Sequence, residues 1–574
     1  MDEGEVDAIL ANIPSDGESD DGLTIDEDEE MDISTQDITT ECLSNSSESE
    51  EENEDLPLSY LVPMDKFLWK KPTTVSSDCF SINNFTENVG PVNVPDDKES
   101  PIDIFECLID KNIIENIVFQ TNLYATQREK PFMPTHETEI KIFLAINILM
   151  GVKKLPSYRD FWSSDAMLRD HYISNQMTRT RFDWLLGNFH LNNNVLQPSR
   201  QSPDFDKLYK LRPFLNGISH NFTSFYKLHN TISIDESMIC FKGRSSIRQY
   251  MPNKPIKWGY KVWTRADASG YIDEFQIYTG KVNGNAEKQL GPRVIKDLTR
   301  SLVGKNYFVY FDNFFTSLPL LRELKKDNIN ATGTIRKGRK GIPGDLKPEK
   351  TMKQGDYDWR ITDDGISLVK WMDKRIVLLA SNHENPSETT YVARKKKNGE
   401  KEDVACPIML KNYNQNMGFV DKADMLKKTY EIDRKSQKWW PRIFWHFIDV
   451  SIVNAFIIFQ QRCNGNSGMN LKAFRLSIVA GLVGAGREKC PPTKKKQSSL
   501  GKEGNMANNY KPIVPLEKRW DQALHMPVYG TYRRCALCST LDHQRRSKWA
   551  CETCGVALCL SDKKDCFQKF HKKN

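Results

Sequence analysis

Residues 232–261 read ISIDESMICFKGRSSIRQYMPNKPIKWGYK, and this stretch decides which fold class we expect. It begins within a β-branched run, Thr231–Ile234, which ends directly on Asp235. Further strand-like runs follow at Gly259–Thr264, Tyr271–Tyr278 and Tyr307–Phe311. Apolar residues before these runs recur at helical spacing instead, most clearly in Glu137–Val152. The sequence therefore predicts an α/β fold with an acidic residue at a strand end.

Four aspartates have positions that suit metal-dependent chemistry. Asp235 and Asp312 each follow a predicted strand, and Asp421 and Asp424 lie three apart in VDKADMLKK, on one face of a predicted helix. Two strand carboxylates and a helix carboxylate suit two-metal phosphoryl transfer with Mg²⁺ (or Mn²⁺). Position alone does not decide this, because aspartates at strand ends commonly form turns or caps, and charged helix faces are usually solvated.

Charge is divided unevenly along the chain. The 574 residues carry 81 Lys and Arg against 76 Asp and Glu, a net charge of +5. Residues 1–65 hold 23 of the acidic residues and no Lys or Arg, so the remainder has a net charge of +28. A body this basic predicts a polyanionic partner, most simply nucleic acid. The polar, Ser-rich residues 1–98 are predicted to be a disordered arm.

The sequence favours an intracellular protein without a membrane span. The N-terminus lacks a signal-peptide pattern, and the longest apolar run, Ile443–Phe459, is short and contains polar residues. Six of the 13 cysteines crowd between residues 535 and 566, which is typical of a local metal module in a reducing compartment. The triplet Lys494-Lys495-Lys496 is a candidate import signal, so we predict a nuclear protein.

The C-terminal cysteines include two CxxC pairs, a strong zinc signal because thiolates at this spacing can reach one tetrahedral ion. The candidate ligands are Cys535, Cys538, Cys551, Cys554, Cys559, Cys566 and His571. Seven ligands are one short of two Zn²⁺ sites. A cross-braced arrangement assigns Cys535, Cys538 and Cys559 to one zinc and the other four to the second. The missing ligand is either Asp562 or His543.

Three blocks of the sequence resemble piggyBac-type transposases. They are residues 232–261, FDNFFTSLPLL (Phe311–Leu321) and YNQNMGFVDKADML (Tyr413–Leu426). Their order and flanks match over roughly residues 100–485, and the tail resembles the terminal zinc domain of the family. The resemblance implies an RNase H-like catalytic core with a β-rich insertion, flanked by a helical dimerisation and DNA-binding domain and followed by a cross-brace zinc domain.

Eight segments are expected from this organisation. They are a disordered acidic arm (1–98), a first helical part (99–230), a first core part (231–340), a β-rich insertion (341–402), a last core part (403–430), a second helical part (431–486), a basic linker (487–532) and a zinc domain (533–574). Locally, we expect Thr180 to cap one helix and Asp204–Phe225 to form another. A hairpin should turn at residues 363–365, and Pro441 should open a long helix.

The resemblance also implies an activity and roles for particular residues. The catalytic aspartates of the family fall on Asp235, Asp312 and Asp421, with Asp424 as an additional metal-associated carboxylate. The family cuts transposon ends through hairpin intermediates and joins them to TTAA targets, leaving a scarless donor site. The implied partners are transposon-end DNA, target DNA and at least one further copy of the chain, with no membrane or small-molecule substrate. Asp562 falls where some relatives carry a histidine, which slightly favours it over His543.

Candidate DNA contacts lie beside the first carboxylate, where basic and aromatic residues alternate. They are Lys242, Arg244, Arg248, Lys254 and Lys257. Two more candidates lie elsewhere: Asn313 is beside Asp312, and Trp440 follows the third block, where the resemblance places the Trp-Pro pair of the family. An ordinary solvated sheet surface is the alternative for the basic residues, and a core tryptophan anchoring the long helix is the alternative for Trp440. The basic cluster at residues 336–340 either follows the DNA backbone or is a solvated loop.

Two other functions compete with a transposase. A domesticated DNA-binding or chromatin protein would keep the fold without transposing, and the intact carboxylates count against it. A zinc-dependent ubiquitin ligase would explain only the C-terminal cysteines and leave the aspartates without a role.

Overall fold

The computed structural model describes residues 67–73, 80, 83–252, 254–280, 287–395, 401–463, 465, 468–487, 525–540, 543–561 and 564–572. These residues belong to two units. One contains residues 109–217 and those from 472 onwards, and the other contains residues up to 108 together with 218–471. The predicted disorder of residues 1–66, the import signal at residues 494–496 and most of the predicted linker lie outside the described residues.

Helices precede and follow the strands along the chain. Those before the first long strand are α1 (Pro101–Leu108), α2 (Lys111–Gln127), α3 (Glu137–Val152), α4 (His171–Gln176), α5 (Arg179–Asn188) and α6 (Arg212–Phe225). Those after it are α7 (Leu290–Thr299), α8 (Leu318–Lys326), α9 (Ile408–Asn416), α10 (Phe419–Thr429), α11 (Trp440–Arg462), α12 (Leu471–Arg487) and α13 (Cys566–His571). Short 3-10 turns lie at Tyr158–Trp162, Asn194–Leu196, Tyr209–Leu211, Arg300–Leu302 and Glu349–Thr351.

Helix α3 has the bounds that its periodicity predicted, and two other predicted helix starts are wrong. The N-cap of α5 is Thr178, whose side chain accepts a hydrogen bond from the backbone N–H of Arg181, so Thr180 lies inside the helix. Helix α6 begins at Arg212 instead of Asp204, and Pro213 then occupies the first turn, where its missing N–H costs nothing.

Ten strands form one sheet in the described part of the chain. The described residues contain eighteen strands, of which the other eight form two-stranded sheets. In chain order the eighteen are β1 (Trp69–Lys70), β2 (Gly90–Pro91), β3 (Tyr226–Lys227), β4 (Thr231–Cys240), β5 (Gln249–Tyr250), β6 (Trp258–Asp267), β7 (Ile272–Ile277), β8 (Phe308–Phe311), β9 (Asn330–Thr334), β10 (Tyr357–Thr362), β11 (Ser367–Met372), β12 (Ile376–Ser381), β13 (Thr389–Lys395), β14 (Lys401–Pro407), β15 (Pro527–Arg534), β16 (Arg546–Cys551), β17 (Leu560–Ser561) and β18 (Lys564–Asp565). The sheet runs β1-β10-β11-β12-β9-β8-β4-β6-β5, and β7 also pairs with β6.

The central strands of this sheet bring two of the predicted site residues together. Strand β4 pairs antiparallel with β6 and parallel with β8, and β8 pairs parallel with β9. In the β4–β8 register Ile234 lies opposite Phe311. Asp235 and Asp312 directly follow this pair, so the two carboxylates lie at neighbouring positions; Asp312 follows the end of β8, whereas Asp235 is still inside β4 and pairs with Thr264 of β6. The predicted convergence of the two carboxylates is confirmed, but the prediction that the strand ends at Asp235 is wrong, because pairing with β6 continues β4 to Cys240.

The strands that follow β9 extend the same sheet. Strand β12 pairs antiparallel with β9, and the β10–β11 hairpin turns at residues 363–365 as predicted, with Gly365 at φ +78°. Strand β1 pairs with the edge strand β10, placing Trp69 opposite Thr362. The prediction of disorder up to residue 98 is therefore wrong for this segment, because main-chain pairing at a sheet edge does not require an apolar sequence.

Helix α11 is the core helix of its unit. It begins at Trp440 with Pro441 in the first turn, as predicted, and its side chains from Ile443 to Phe459 are buried. Its length and composition would allow a membrane crossing, but 94% of its most apolar window is buried inside the protein, as is typical of a core helix. The Asn454 side chain bonds both the N–H and the C=O of Ile272, which ties α11 to β7.

Candidate active site

Asp235 and Asp312 form a partly buried pair of carboxyl groups. Burial, followed by the charge of Asp312, raises the pKa of Asp235 to about 7, against the hydrogen bond that its Oδ1 accepts from the N–H of Glu236. Burial also raises the pKa of Asp312, and the charge of Glu236 adds to that effect. Carboxyl groups held in this way gain from a nearby divalent cation, because the cation offsets the cost of ionising them.

Asp312 also serves the local turn. Its Oδ1 accepts a hydrogen bond from the backbone N–H of Phe314 at 2.9 Å, an Asx turn of the kind that aspartates form at strand ends. The turn directs the chain from β8 towards α8 and leaves the carboxylate beside Asp235. The turn role and the proposed metal role are therefore compatible for this residue.

Helix α10 carries the other two carboxylates over β4 and β6. The Oδ1 atom of Asp424 accepts a hydrogen bond from the Ser237 hydroxyl at 2.7 Å. Ser237 is two residues beyond Asp235 and so lies on the same face of β4. Asp421 is in the first turn of α10 and is exposed. The helix thus brings Asp424 to the strand that carries Asp235 and leaves Asp421 accessible.

The donor set fits a divalent cation. Carboxylate oxygens are the ligands that Mg²⁺ and Mn²⁺ prefer, and Asp235 and Asp312 are partly buried and close enough for the charge of Asp312 to raise the pKa of Asp235. No three of the four aspartates have their oxygens within 4.8 Å of one another, unlike the donor groups that the described residues contain near the C-terminus. The residues that would hold the cation are Asp235, Asp312, Asp421 and Asp424.

The basic residues predicted to contact DNA have different surroundings. Lys242, Arg244 and Lys257 are exposed, as a phosphate contact requires. Lys254 lies close enough to lower the pKa values of both Asp235 and Asp312 through its charge. Arg248 donates to the carbonyls of residues 242 and 243, and its guanidinium lies 4.3 Å from the centre of the Trp258 ring, so it mainly shapes the loop.

The other two predicted DNA contacts, Trp440 and Asn313, lie in different surroundings. Trp440 is 2% exposed, so its ring is not available to stack on a base, and the alternative of a core tryptophan at the start of α11 is favoured. The prediction of a DNA contact at Trp440 is therefore not supported by its position. Asn313 lies beside Asp312, and its Oδ1 accepts a hydrogen bond from Arg336 Nε at 2.9 Å. Arg339 donates to the carbonyl of Phe314, which holds the basic loop at residues 336–340 next to the carboxylate pair.

The C-terminal module contains two groups of four side chains whose donor atoms lie within 4.8 Å of one another. The first is Cys535, Cys538, Cys559 and Cys566, and the second is His525, Cys551, Cys554 and His571. The groups alternate along the chain, as in a cross-brace. The predicted assignment of Cys566 to the second group is wrong, because the turn from β18 into α13 brings it to the first. Asp562 lies outside the described residues, and the first group has four donors without it.

His525 was missed because it lies in the segment predicted to be a linker. It immediately precedes β15, and its Nδ1 is 3.4 Å from the Cys551 sulfur and 3.5 Å from the Cys554 sulfur. On the other side of this group, His571 Nδ1 donates to the carbonyl of Phe567 at 2.8 Å. That bond leaves Nε2, 3.4 Å from the Cys554 sulfur, as the ligand atom.

Both groups fit a structural metal ion. Four soft or borderline donors around one point are what tetrahedral Zn²⁺ requires. Burial opposes the ionisation of Cys535, but hydrogen bonds from the backbone N–H groups of Cys538 and Cys559 prevail and lower its pKa to about 7. The thiolate form of Cys535 is therefore accessible near neutral pH, whereas burial and the neighbouring thiols raise the pKa of Cys559 and Cys566, whose ionisation a bound metal ion would favour. The other predicted candidate, His543, is exposed and belongs to neither group.

Comparison with known proteins agrees with this arrangement. The family profile described as Transposase IS4 matches residues 100–456. The human PiggyBac transposable element-derived protein 3 is 30% identical over 471 residues, which cover 80% of this chain and 74% of that protein. The chain belongs to the piggyBac-type transposase family.

Two further members of the family extend the comparison. The human PiggyBac transposable element-derived protein 2 is 28% identical over 450 residues, covering 76% of this chain and 72% of that protein. A piggyBac transposase in a synaptic complex with hairpin DNA has the same mixed α/β fold, with a TM-score of 0.63 at 24% identity. That match covers 82% of this chain and 98% of the other.

Within this piggyBac-type chain, sequence reasoning missed three residues near the proposed metals. Ser237 and Lys427 both donate to Asp424, and His525 lies among the cysteines. Signals for two of them were present in the sequence. Ser237 shares a strand face with Asp235, and Lys427 is three residues after Asp424 on one helix, a spacing at which opposite charges meet. For His525 the only signal was the ligand count, which was one short.

Proposed function

We propose that this chain is a metal-dependent DNA transposase of the cut-and-paste type. It would bind the terminal repeats of its own element, cleave the DNA at their ends and join the ends to TTAA sites through hairpin intermediates. The further parts of the proposal are an RNase H-like core, two structural Zn²⁺ ions, assembly as at least a dimer on two ends, and action in the nucleus. The resemblance of the three sequence blocks supports the core and the assembly, the two groups of four donors support the Zn²⁺ ions, and the Lys494-Lys495-Lys496 triplet supports the nuclear location.

One observation carries the catalytic part of the proposal. Asp235 and Asp312 directly follow the last residue pair of the parallel β4–β8 register, and α10 lays Asp424 against the same face of β4. In sequence order the strands β4, β6, β7, β8 and β9 are arranged 3-2-1-4-5, with the first three antiparallel and the last two parallel to the first. This order supports the RNase H-like assignment.

The residues of the site have separable tasks in this proposal. Asp235, Asp312, Asp421 and Asp424 would hold divalent cations, which when bound activate an attacking oxygen and stabilise the leaving one. Lys242, Arg244 and Lys257 would neutralise phosphates, and Asn313 would contact the strand near the cleaved bond. Because water and a DNA 3′-hydroxyl are both oxygen nucleophiles for an in-line displacement, one site serves cleavage, hairpin formation and joining.

The test uses a donor plasmid that carries the DNA ends flanking this gene. We expect Asp235→Ala and Asp312→Asn to reduce strand cleavage by about 10³-fold or more while leaving end binding largely intact. Asp363→Asn is the matched control, because Asp363 is an exposed aspartate in the same unit and a surface ion pair contributes little. Undiminished excision in the two site variants would refute the catalytic assignment.

The competing candidate is a domesticated protein that binds DNA without transposing. It is favoured by the human relatives, which are named as transposable element-derived proteins. The same assay separates the two, because a domesticated protein would bind the ends and leave the donor plasmid uncut in the wild-type chain. Scoring the repaired donor site for TTAA-precise joining tests the target and the scarless excision at once.

A further inference from the structure

A lysine side chain is enclosed in the wall of the candidate active site. Lys427 is on α10, and its Nζ donates to Asp424 Oδ1 at 2.9 Å and lies 3.1 Å from His446 Nδ1 on α11. Only 7% of the Lys427 side chain is exposed. A lysine this enclosed is uncommon, since an ammonium loses much of its hydration there and needs hydrogen-bonding partners in exchange.

His446 can act only as an acceptor for this lysine. Burial, followed by the charge of Lys427, lowers its pKa well below the usual value, so the ring is neutral. An ammonium has no acceptor atom, and therefore Nδ1 of His446 accepts and the ring proton is assigned to Nε2. Nε2 is buried and has no hydrogen-bond partner among the described residues. Lys427 is thus fixed between a carboxylate of the site and a core helix.

The same contact restricts Asp424. Its Oδ1 accepts from both Ser237 and Lys427, which leaves Oδ2 as the oxygen that can turn to a cation. The positive charge of Lys427 also lies next to the carboxylate and repels any cation that approaches it. Lys427 therefore affects cation affinity in two opposite ways. It raises the affinity by fixing the orientation of Asp424, and it lowers the affinity by repelling the cation.

We propose that Lys427 is a positioning residue and a built-in positive charge of the cation site, which fixes Asp424 in one orientation and lowers the affinity of the site for divalent cations. This inference rests on the proposed function, since it assumes that Asp424 contributes to a cation site. A neighbouring unit charge in a partly buried site changes cation affinity by about tenfold or more. Fixing the orientation of one carboxylate changes the cation affinity by only about threefold. The charge effect therefore determines the sign of the affinity change.

The inference predicts that removing the charge has opposite effects on binding and on turnover. In Lys427→Met, an apolar side chain of similar length replaces the lysine. We expect Mn²⁺ to bind about tenfold more tightly and the half-saturating Mg²⁺ concentration for end cleavage to fall. The maximal cleavage rate should fall as well, because Asp424 is then free to rotate. A purely structural role would not tighten cation binding.

The experiment uses the full-length, zinc-loaded chain and measures Mn²⁺ binding by calorimetry and by electron paramagnetic resonance without DNA. Lys428→Met is the matched control, because Lys428 is the adjacent, exposed lysine on the same helix. It should bind Mn²⁺ as the wild type does. Lys427→Gln retains an N–H donor without the charge, so it should fold where Lys427→Met does not and should tighten Mn²⁺ binding in the same way.

The outcomes separate this inference from the proposed function. Unchanged or weaker Mn²⁺ affinity in folded Lys427 variants, with a wild type whose binding is lost in Asp235→Ala, would overturn the role of Lys427 alone. A wild type that binds no Mn²⁺ at this site would overturn the proposed cation site and the inference with it. Tighter binding together with a lower maximal rate would support both.

Discussion

The two regions of this chain that contain candidate metal ligands, the C-terminal module and the carboxylates of the sheet, are built in different ways. In the C-terminal module, two groups of four donors already lie within 4.8 Å of one another, in a segment of about fifty residues. In the sheet, Asp424 meets Ser237 across 187 residues of chain, and the aspartates are less tightly gathered. A closed set of four protein ligands is typical of a structural ion, and an incomplete set leaves room for substrate oxygens, as a catalytic ion requires.

The two regions also differ in the pKa shifts of their candidate ligands. In the first group of the module, backbone hydrogen bonds lower the pKa of Cys535 against the effect of burial, whereas burial and the neighbouring thiols raise the pKa of Cys559 and Cys566. In the sheet, burial prevails and raises the pKa values of Asp235 and Asp312. The ionised carboxylate pair is unfavourable in these surroundings, and a bound proton or a bound cation would lower its free energy. Either one can exchange with solvent.

The largest expected effect concerns the module. Replacing His525 with alanine should remove a ligand of the second group, reduce the zinc content from two ions to one per chain and unfold part of residues 525–572, because structural zinc supplies much of the folding free energy of such modules. Elemental analysis and hydrogen exchange measure both. His543→Ala is the matched control and should retain both ions. Full zinc content in His525→Ala would remove His525 from the ligand set.

A smaller effect, with a defined sign, is expected for pH in the metal-free protein. The folded-state pKa of Asp235 is raised to about 7 from 3.8, so the stability that its protonated form contributes is complete below pH 4 and is lost as the pH rises through about 7. Relative to Asp235→Asn, the wild type should lose on the order of 4 kcal/mol of unfolding free energy between pH 4 and pH 8.

Chemical denaturation of both proteins at several pH values measures this difference. Glu384, whose pKa burial also raises to about 7, is present in both proteins and cancels in the comparison. Mn²⁺ added at pH 8 should restore stability to the wild type only. The module should show the reverse trend and weaken as the pH falls, because protons compete with zinc for thiolates. Parallel pH profiles for wild type and variant would contradict the assignment to Asp235.

The smallest expected effect tests the hypothesis that the acidic segment 1–65 competes with DNA for the basic residues of the chain. Deleting residues 1–65 removes 23 acidic residues, and we expect affinity for random DNA to rise several-fold at low salt and little at high salt. Repeating the deletion in a chain that ends at residue 487 separates the surface around the carboxylates from the module. An unchanged affinity in both backgrounds would reduce the arm to a solubilising segment.

Much of the fold could be predicted because its signals are local. The β-branched run Thr231–Ile234 forms the first part of β4, the apolar run after Pro441 corresponds to α11, and the turn at residues 363–365 joins β10 to β11. Where the prediction was wrong, a distant contact decided the outcome. Strand β1 forms where the chain pairs with the edge strand β10, and Trp440 is buried at the start of α11.

The sequence by itself determined the family, the four aspartates and the cysteine ligands, because residue type, spacing and order are local properties that three long blocks specify together. The tertiary structure alone decided which donors meet: Cys566 joins the pair at residues 535 and 538, and His525 completes the second group. It also enclosed Lys427 between Asp424 and His446. Such meetings depend on how helices and strands pack, and packing is fixed by contacts between residues far apart in the chain.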